Sequence, residues 1–446
     1  MGPPTQPDAG SRRDAPGPAR LLVVGLAALG LLARLAPGLM MTPAQAARLP
    51  HAAAYLHLAR SLAEGHGFVL TETPQDNAAG AARDTKTAAG IAYHARRMPA
   101  YPSLIAAGKT VLGAPSRTTL IVQALAGTAS LVLAAWMAYR LAGMWAAVVA
   151  AALLAFDPYQ VVLASLFAPV ALTGLALSAT AAAGVAYLGA VRTDRRAWPW
   201  AAAGGLALAA AVYLEVWTLA LAPVALVAAA VGRRRRRRLA GWAVGAAVLA
   251  AALVPWLVRN ADRVGVPVLS TDVGRRLWAG TRPVPGETAP DPGGAGTEAA
   301  APAPPEGRDE VGRGVFYLKA AGARIASAPG RWLGLAAGRV GRLWSPAPPE
   351  GLEDGPLGPA AGYTSLLPTA LLALAGLGLL RRRGETWWLL LVPVTATLVH
   401  VALAGWAGDR AAVMPPLAAV GGAGLAALFG RPEETQDEER EASLSS

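Results

Sequence analysis

Four arginines are expected at the outer water interface, beyond the hydrophobic segments, where they could bind a phosphate group. They are Arg96, Arg97, Arg259 and Arg410, and Asp409 stands beside the last of them, where its carboxylate could orient the guanidinium. The planar guanidinium donates paired hydrogen bonds that match phosphate oxygens. Arginines at helix ends also bind the headgroup phosphates of ordinary membrane lipids, so the pattern predicts a phosphate contact without naming its source.

Two further residues carry groups that could exchange a proton. Asp157 precedes Pro158, a setting that is also typical of a turn or a helix cap. His51 has an imidazole that titrates near neutrality, although a solvated residue beside a surface helix is the simpler interpretation. The spacing of His51, His57 and His66 invites a metal site, but solvated polar side chains are expected on or beside a surface helix, and we predict no metal and no cofactor.

The composition places these residues in a polytopic membrane protein. The chain has 446 residues, of which 54% are hydrophobic and 15% charged, against about 25% charged in an average soluble protein. There is no cysteine, which excludes disulfides, thiolate metal sites and cysteine nucleophiles. The net charge of +12 does not indicate nucleic-acid binding, because the arginines cluster at the ends of hydrophobic blocks, as a topology signal requires.

About ten hydrophobic segments approach the length of roughly 20 residues that a bilayer needs. We predict an all-α bundle with spans at 21–41, 117–138, 142–157, 163–190, 198–213, 216–232, 239–258, 363–380, 386–404 and 411–430. The fifth and sixth spans are short, and Arg34 inside the first is expected to face other helices or the outer water interface.

The arginines orient this topology. With the N-terminus in the cytoplasm, Arg192, Arg195 and Arg196, the run 233–238 and the cluster 381–383 all fall on the cytoplasmic side. The predicted location is a bacterial inner membrane with both termini cytoplasmic. Glu215 then falls at the outer tip of a short hairpin, where a surface acid is expected.

The topology divides the chain into five parts. They are a disordered tail at 1–20, a transmembrane module at 21–258 with an outer loop at 42–116, a second outer loop at 259–362, transmembrane helices at 363–430 and an acidic tail at 431–446. In the second loop, 283–310 is predicted to be flexible and 311–344 amphipathic. The water-facing residues of that amphipathic part are predicted to be Lys319, Arg324, Arg331, Arg339 and Arg342.

The first outer loop contains short segments with helical spacing of apolar residues. In PHAAAYLHLARSLAEGHGFVL, the residues Tyr55, Leu58, Ala59 and Leu62 fall on one face, which predicts a helix lying along the membrane surface. A second segment, YHARRMPAYPSLIAAGKTVLG, has the same spacing and is punctuated by prolines.

Several of these segments resemble bacterial membrane glycosyltransferases of the GT-C superfamily, in particular the relatives of protein mannosyltransferases and aminoarabinose transferases. The resembling stretches include YLHLARSLAEGHGF, RRMPAYPSLIAAGKTVLG, AFDPYQVVLASLFAPVALTGLAL, PWLVRNADRVGVPVLSTDVGRRLWAG and GDRAAVMPPLAAVGGAGLAAL. They occur in the family's order from about residue 20 to 430.

The resemblance implies a bundle of membrane helices with surface helices on its outer side, and transfer of a sugar from a polyprenyl-phosphate donor. Such a site needs a carboxylate to take the acceptor proton and cations beside the departing phosphate. For these roles the candidate bases are Asp157 and His51. The candidate substrate contacts are Tyr55, Arg96, Arg97, Tyr101, Arg259, Asp409 and Arg410.

The chain departs from the family pattern where the family carries its first-loop acids. The usual form resembles P-D-x-x-E-Y, whereas this chain reads Pro50 to Tyr55 as PHAAAY and has no acid between Met41 and Glu64. A relocated base is one explanation, from Asp157, His51 or an acid of the first loop. The loop acids are Glu64, Glu72, Asp76 and Asp84.

Two functions from different classes follow. The first is a glycosyltransferase that moves a sugar from a polyprenyl-phosphate donor to an acceptor outside the cytoplasm. The alternative is a non-catalytic GT-C-like protein that binds lipid-linked sugar or assists an envelope assembly enzyme, which the missing acids favour. A transporter is disfavoured because most spans lack charged residues.

Overall fold

A computed structural model describes residues 17–40, 42–47, 52–72, 91–113, 115–193, 195–231, 234–283, 308–346, 358–381, 383–403 and 405–429. The acidic tail, most of the N-terminal tail and most of 283–310 lie outside these residues. So do His51, Asp76 and Asp84.

The described chain is helical, apart from one short ribbon. The helices are α1 (Gly17–Met40), α2 (Pro43–Ala46), α3 (Ala52–Ala63), α4 (Ala100–Leu112), α5 (Pro115–Ala142), α6 (Met144–Ala155), α7 (Pro158–Leu163), α8 (Val170–Arg192), α9 (Trp198–Leu214), α10 (Leu221–Ala230), α11 (Arg235–Val264), α12 (Val273–Ala279), α13 (Glu310–Ser327), α14 (Pro329–Leu343), α15 (Gly358–Leu380), α16 (Gly384–Leu403) and α17 (Met414–Phe429). Two 3-10 helices, Val216–Ala220 and Ala407–Val413, precede α10 and α17.

The apolar helices confirm the prediction of a polytopic all-α membrane protein. Six helical segments of the described chain are long and apolar enough to cross a membrane, and four shorter apolar segments complete the ten predicted segments. The two predicted to be short contain α9, of 17 residues, and α10 with its preceding 3-10 turn. Helices α5, α6, α8 and α17 pack together at the centre, where small residues allow close approach.

The segment predicted as a span at 163–190 becomes helical only at Val170, seven residues later than predicted. Helix α7 ends at Leu163, and α8 begins only after Pro169. The backbone between them is buried, and its polar groups need partners. Gln123 donates to the carbonyls of Ala164 (2.9 Å) and Leu166 (2.8 Å), which stabilises the non-helical stretch.

The first outer loop forms α3, the strands β1 (Leu70–Glu72) and β2 (Ile91–Tyr93), and α4. The strands pair antiparallel, with Leu70 opposite Tyr93, a ribbon that the helical spacing did not predict. The predicted apolar face of α3 is confirmed, but Tyr55 and Leu58 are buried against α4 and the bundle rather than placed on a lipid surface. Helix α3 is therefore part of the protein core.

The predicted amphipathic region of the second loop forms α13 and α14, separated at Ala328. One prediction there is wrong. Arg339 does not face water, since it is 5% exposed and donates to the carbonyl of Val401 (2.8 Å) and to that of Gly280. Because those carbonyls end α16 and α12, Arg339 fixes α14 across both helices.

The connections define two opposite ends of the bundle. The loop end carries α2 to α4, the ribbon and α12 to α14, and it also includes the break between α9 and α10. The arginine end carries the α5–α6, α8–α9, α10–α11 and α15–α16 connections, with arginines at 192, 195, 196 and 234–238. The two ends present different chemistry.

Candidate functional site

A narrow cleft at the loop end brings three of the predicted substrate residues together. Tyr55 of α3 and Arg96 and Arg97 of the 94–99 loop line it. The opposite wall comes from segments more than 100 residues away in sequence. Those segments contribute Glu215, Trp217, Ser270, Asp272 and Arg276, among others.

The carboxylate in this cleft belongs to Glu215. Helix α9 ends at Leu214, Glu215 adopts an extended conformation, and the chain resumes as a 3-10 helix. The break leaves the side chain 8% exposed, and Tyr55 Oη donates to Glu215 Oε1 at 3.0 Å. Glu215 is therefore a buried, hydrogen-bonded acid, which corrects the expectation of an acid on the outer surface.

Opposing effects set the protonation of Glu215. Burial raises the pKa of Glu215, the positive charges of Arg276 and Arg97 lower it, and the nearby Asp409 raises it; the net direction is upward. A carboxylate whose pKa is shifted upward is a better proton acceptor near neutral pH than an ordinary glutamate. Burial and the Glu215 charge also raise the pKa of Tyr55, so its phenol remains the hydrogen-bond donor.

Asp272 holds the arginines of the cleft in place. Its carboxylate accepts hydrogen bonds from Arg275 Nε (2.9 Å) and Arg276 Nε (3.0 Å), and Arg96 Nε lies 3.5 Å away. Burial alone would raise the pKa of Asp272, but the neighbouring arginines hold it well below its usual range. Asp272 therefore remains charged and orients the guanidinium groups on one wall.

Aromatic residues support the floor of the cleft. The Tyr55 and Tyr101 rings meet edge to face with centroids 5.0 Å apart, and the guanidinium of Arg97 lies over the Tyr55 ring at 5.4 Å. Tyr101 is fully buried and donates to Gln123 Oε1 at 2.6 Å. Tyr101 thus positions Tyr55 from behind, and it does not line the cleft itself.

Two residues fasten the first outer loop to the later part of the chain. Glu310, at the start of α13, accepts the amides of His94 (2.6 Å) and Ala95 (2.9 Å) and the hydroxyl of Thr271 (2.5 Å). Arg259, near the end of α11, donates to the carbonyls of His94 (2.5 Å) and Phe68 (3.1 Å). In this arrangement Arg259, which was predicted to contact substrate, binds the protein's own backbone.

The predicted pairing of Asp409 with Arg410 is replaced by two separate contacts. Asp409 Oδ2 lies 2.9 Å from His400 Nε2, whose ring meets the Trp217 ring at a centroid distance of 4.8 Å. Arg410 is 3% exposed, donates to the carbonyls of Leu343 and Ser345, and lies 4.4 Å over the Tyr159 ring. His400 and Asp409 flank the Glu215 cleft, whereas Arg410 faces towards α7.

Asp157 lies beside Arg410 and caps α7. Its Oδ1 accepts the amides of Tyr159 (2.9 Å) and Gln160 (3.4 Å), which is the geometry of an N-cap. Burial raises the pKa of Asp157 to about 6, although both amides and the charges of Arg34 and Arg410 lower it. Arg34 was expected to face either other helices or the outer water interface. It faces other helices, because its guanidinium donates to the carbonyl of Leu154 at 2.8 Å.

The remaining predicted proton acceptors lie elsewhere. Glu64 directly follows the C-terminal end of α3, where it pairs with Lys109 at 3.5 Å on the protein surface. Glu72 belongs to β1. His51 lies outside the described residues, so its predicted role stays a prediction.

Sequence reasoning missed four residues that form this region, namely Glu215, Asp272, Arg276 and His400. One signal for Glu215 was present, because it is the acid between two short apolar runs that together span 198–231. An acid located between two apolar membrane segments indicates a functional position. Asp272 and Arg276 lie within the resembling stretch 255–280, where no role was assigned to them, and His400 lies outside every resembling stretch.

The fold and the cleft define a class: a polytopic helical membrane protein with its polar site at the end that carries the long loops. No family model matches the sequence, and no curated protein matches it either. Solved structures do match.

The archaeal oligosaccharyltransferase AglB from Archaeoglobus fulgidus, in complex with an inhibitory peptide and a dolichol-phosphate, superposes with a TM-score of 0.52 at 14% identity. The match covers 90% of this chain and 50% of AglB, so the chain spans half the length of that protein. The apo form of the same enzyme gives equal values. ArnT from Cupriavidus metallidurans, bound to undecaprenyl phosphate, superposes at a TM-score of 0.40 with 16% identity, over 91% of this chain and 78% of ArnT.

At 14% identity the likeness to AglB concerns the fold. The chain shares the fold of the matched half of AglB, a polytopic bundle of membrane helices, which is the fold that the resemblance of its motifs implied.

Proposed function

We propose that the protein is a membrane glycosyltransferase that moves a sugar from a polyprenyl-phosphate donor to an acceptor hydroxyl outside the cytoplasm. The observation that carries the proposal is a buried carboxylate, Glu215, in one cleft with the guanidinium groups of Arg97 and Arg276. Sugar transfer from a lipid phosphate needs these two kinds of group side by side. The GT-C fold supports the same reaction class.

In the proposed reaction, Glu215 takes the proton from the acceptor hydroxyl as its oxygen bonds to the anomeric carbon. The bond between that carbon and the phosphate oxygen breaks, and the electron pair leaves with the phosphate. Arg97 and Arg276 stabilise the charge that develops on the phosphate. Asp272 and Tyr55 position these groups through the contacts described above.

A transfer assay on purified protein in lipid, with labelled polyprenyl-phosphate sugars and a pooled acceptor extract, tests the proposal. General base catalysis contributes about 10²–10⁴-fold, so we expect Glu215→Gln to reduce transfer by that range while donor binding persists. Glu64→Gln serves as the matched control, since Glu64 pairs at the surface with Lys109. Equal activity of wild type and Glu215→Gln would reject Glu215 as the base.

The pH profile of the wild type sharpens this assay. Only the ionised carboxylate accepts a proton, so transfer should rise with pH through the pKa of Glu215. Because burial shifts that pKa upward, the acid limb should lie at a higher pH than an ordinary glutamate would give. Glu64→Gln should leave the limb in place.

A non-catalytic protein that binds lipid-linked sugar is the second candidate. The absence of acids between Met41 and Glu64, where the family pattern resembles P-D-x-x-E-Y, favours it. Saturable donor binding by the wild type, with no transfer to any acceptor fraction, would support this candidate over the enzyme.

We further propose that the arginine end faces the cytoplasm of a bacterial inner membrane, because arginine-rich loops remain on that side. The chain has no cysteine, so a single introduced cysteine is the one thiol that a maleimide can label. Arg60→Cys on α3 should react with a membrane-impermeant maleimide added to intact cells, and Arg236→Cys should react only after lysis. The reverse pattern would invert the topology.

A further inference from the structure

An apolar groove opens at the arginine end, away from the Glu215 cleft. It encloses about 400 Å³ between α8, α9, α10, α11 and α16. Pockets for small molecules usually measure roughly 300–1,000 Å³, so the groove is large enough to hold part of a ligand. Nothing in the proposed sugar transfer uses it.

Small residues create the groove. Gly204 and Gly205 of α9, Ala225 and Ala228 of α10, and Gly245 of α11 lie along its walls. Helices α9 and α11 approach so closely that a Cβ on Gly205 would stand 2.2 Å from the carbonyl oxygen of Gly245. Helices α9 and α11 are therefore already in contact and cannot narrow the groove by moving closer to each other.

Tryptophans mark the mouth of the groove. Trp200 is 46% exposed and Trp387 is 51% exposed, and both line the opening. Tryptophan prefers the boundary between the membrane core and the headgroups. The groove thus begins at headgroup level and continues towards the membrane interior along α9 and α11.

Positive charge surrounds the same mouth. Arg238 lines the groove directly, and Arg235 and Arg236 are exposed on the first turn of α11. Among the described residues around this mouth Glu385 is the one acid, and it pairs with Arg192 at 3.0 Å. An orientation signal alone explains arginines in a loop, but it does not require them to stand over an apolar groove.

We propose that the groove is a binding site for an anionic diacyl phospholipid. One acyl chain lies between α9, α10 and α11, and the phosphate of the headgroup contacts Arg238 together with Arg235 or Arg236. Basic pockets between membrane helices on the cytoplasmic side are known to bind anionic headgroups in this manner. The proposal does not rest on the proposed sugar transfer, because its residues lie at the other end of the bundle.

Native mass spectrometry of the purified full-length protein tests this site by counting retained lipids. The probes are phosphatidylglycerol and phosphatidylcholine, titrated into the delipidated protein. We expect wild type to retain one phosphatidylglycerol with an affinity at least about tenfold higher than that for phosphatidylcholine, a difference of about 1.4 kcal/mol. Equal affinities would overturn the proposal.

Two kinds of variant separate the acyl groove from the charged mouth. Ala228→Phe fills the groove and leaves every arginine in place, so it should lower the affinity for phosphatidylglycerol about tenfold. Val227→Phe is the matched control, because Val227 is 64% exposed and does not line the groove. A variant with Arg235, Arg236 and Arg238 changed to Ala should bind both lipids equally.

Three outcomes would contradict the proposal. Unchanged binding in Ala228→Phe would mean that the arginines hold headgroups without a groove. Displacement of phosphatidylglycerol by equimolar polyprenyl phosphate would show that the groove binds polyprenyl phosphate rather than a diacyl phospholipid. If Ala228→Phe does not fold, as judged by thermal unfolding in detergent, Ala225→Leu replaces it, and retention of the lipid by that variant would equally reject the site.

Discussion

Charged side chains are arranged differently at the two ends of the bundle. At the loop end, Arg96 and Arg276 face Asp272, and Glu215 is buried against Tyr55. At the arginine end, residues 234–237 are exposed, and the neighbouring Arg238 lines an apolar groove. Burial strengthens electrostatic interactions and holds them in fixed geometry, whereas exposed charges are screened and adapt to whatever surface they meet.

This difference indicates two kinds of anion recognition in one protein. The loop end offers a few fixed guanidinium groups and a carboxylate, as a reacting centre requires. The arginine end offers solvent-exposed positive charges beside an apolar groove, as we propose for a bound anionic lipid. Substitution of one arginine at each end separates these two kinds of anion recognition.

Arginine substitutions at the two ends should give the largest contrast. Arg276→Ala removes a half-buried cation of the cleft and leaves the buried Asp272 and Glu215 less compensated, and leaving a buried charge without its partner typically costs about 2–5 kcal/mol. We expect transfer to fall about 10²-fold or more, since removal of one charge-stabilising donor has effects of this size. Arg236→Ala should leave transfer within about twofold, because exposed charges contribute little.

Transfer rates and the dissociation constant of the donor, measured on both variants in the same lipid, check this contrast. Arg276→Lys is a useful control, because it keeps the charge and loses the planar fork that pairs with Asp272. Comparable losses in Arg276→Ala and Arg236→Ala would show that the two ends do not differ in function.

Much of the fold was predictable because it depends on local composition. Apolar segments of nearly membrane-spanning length predicted the ten apolar segments of the described bundle, and helical spacing predicted the apolar face of α3 that the fold buries. The non-helical stretch that ends at Pro169 was not predicted, since this single proline lies within an otherwise apolar run and the stabilising Gln123 stands 41 residues before Ala164. Arg339 was misplaced for a similar reason, because its acceptor Val401 is 62 residues away.

The candidate site was predictable only in part. Tyr55, Arg96 and Arg97 belong to motifs that resemble the GT-C family, and the fold brings all three to one cleft. Glu215 belongs to no motif, and its partner Tyr55 stands 160 residues earlier in the chain. A single acid between apolar runs shows that a polar partner exists, but not which one.

Replacement of Arg259 should give a smaller effect, on stability. Its guanidinium donates to the carbonyls of His94 and Phe68, so Arg259→Ala leaves two acceptors without these donors at a cost of about 1–3 kcal/mol. We expect a lower thermal unfolding temperature in detergent and a donor dissociation constant close to that of the wild type. A weakened donor affinity without loss of stability would return Arg259 to its predicted role as a substrate contact.

Asp157→Asn should have the smallest effect, and it decides between two carboxylates. Asparagine caps helices about as well as aspartate, so α7 should keep its first turn, whereas Asp157→Ala should cost about 0.5–2 kcal/mol of stability. If Glu215 is the base, Asp157→Asn should retain transfer within about threefold, because the cap that positions α7 beside Arg410 persists. Loss of transfer in Asp157→Asn, with donor binding and unfolding temperature unchanged, would instead assign the proton acceptor to Asp157 and leave Glu215 a positioning residue.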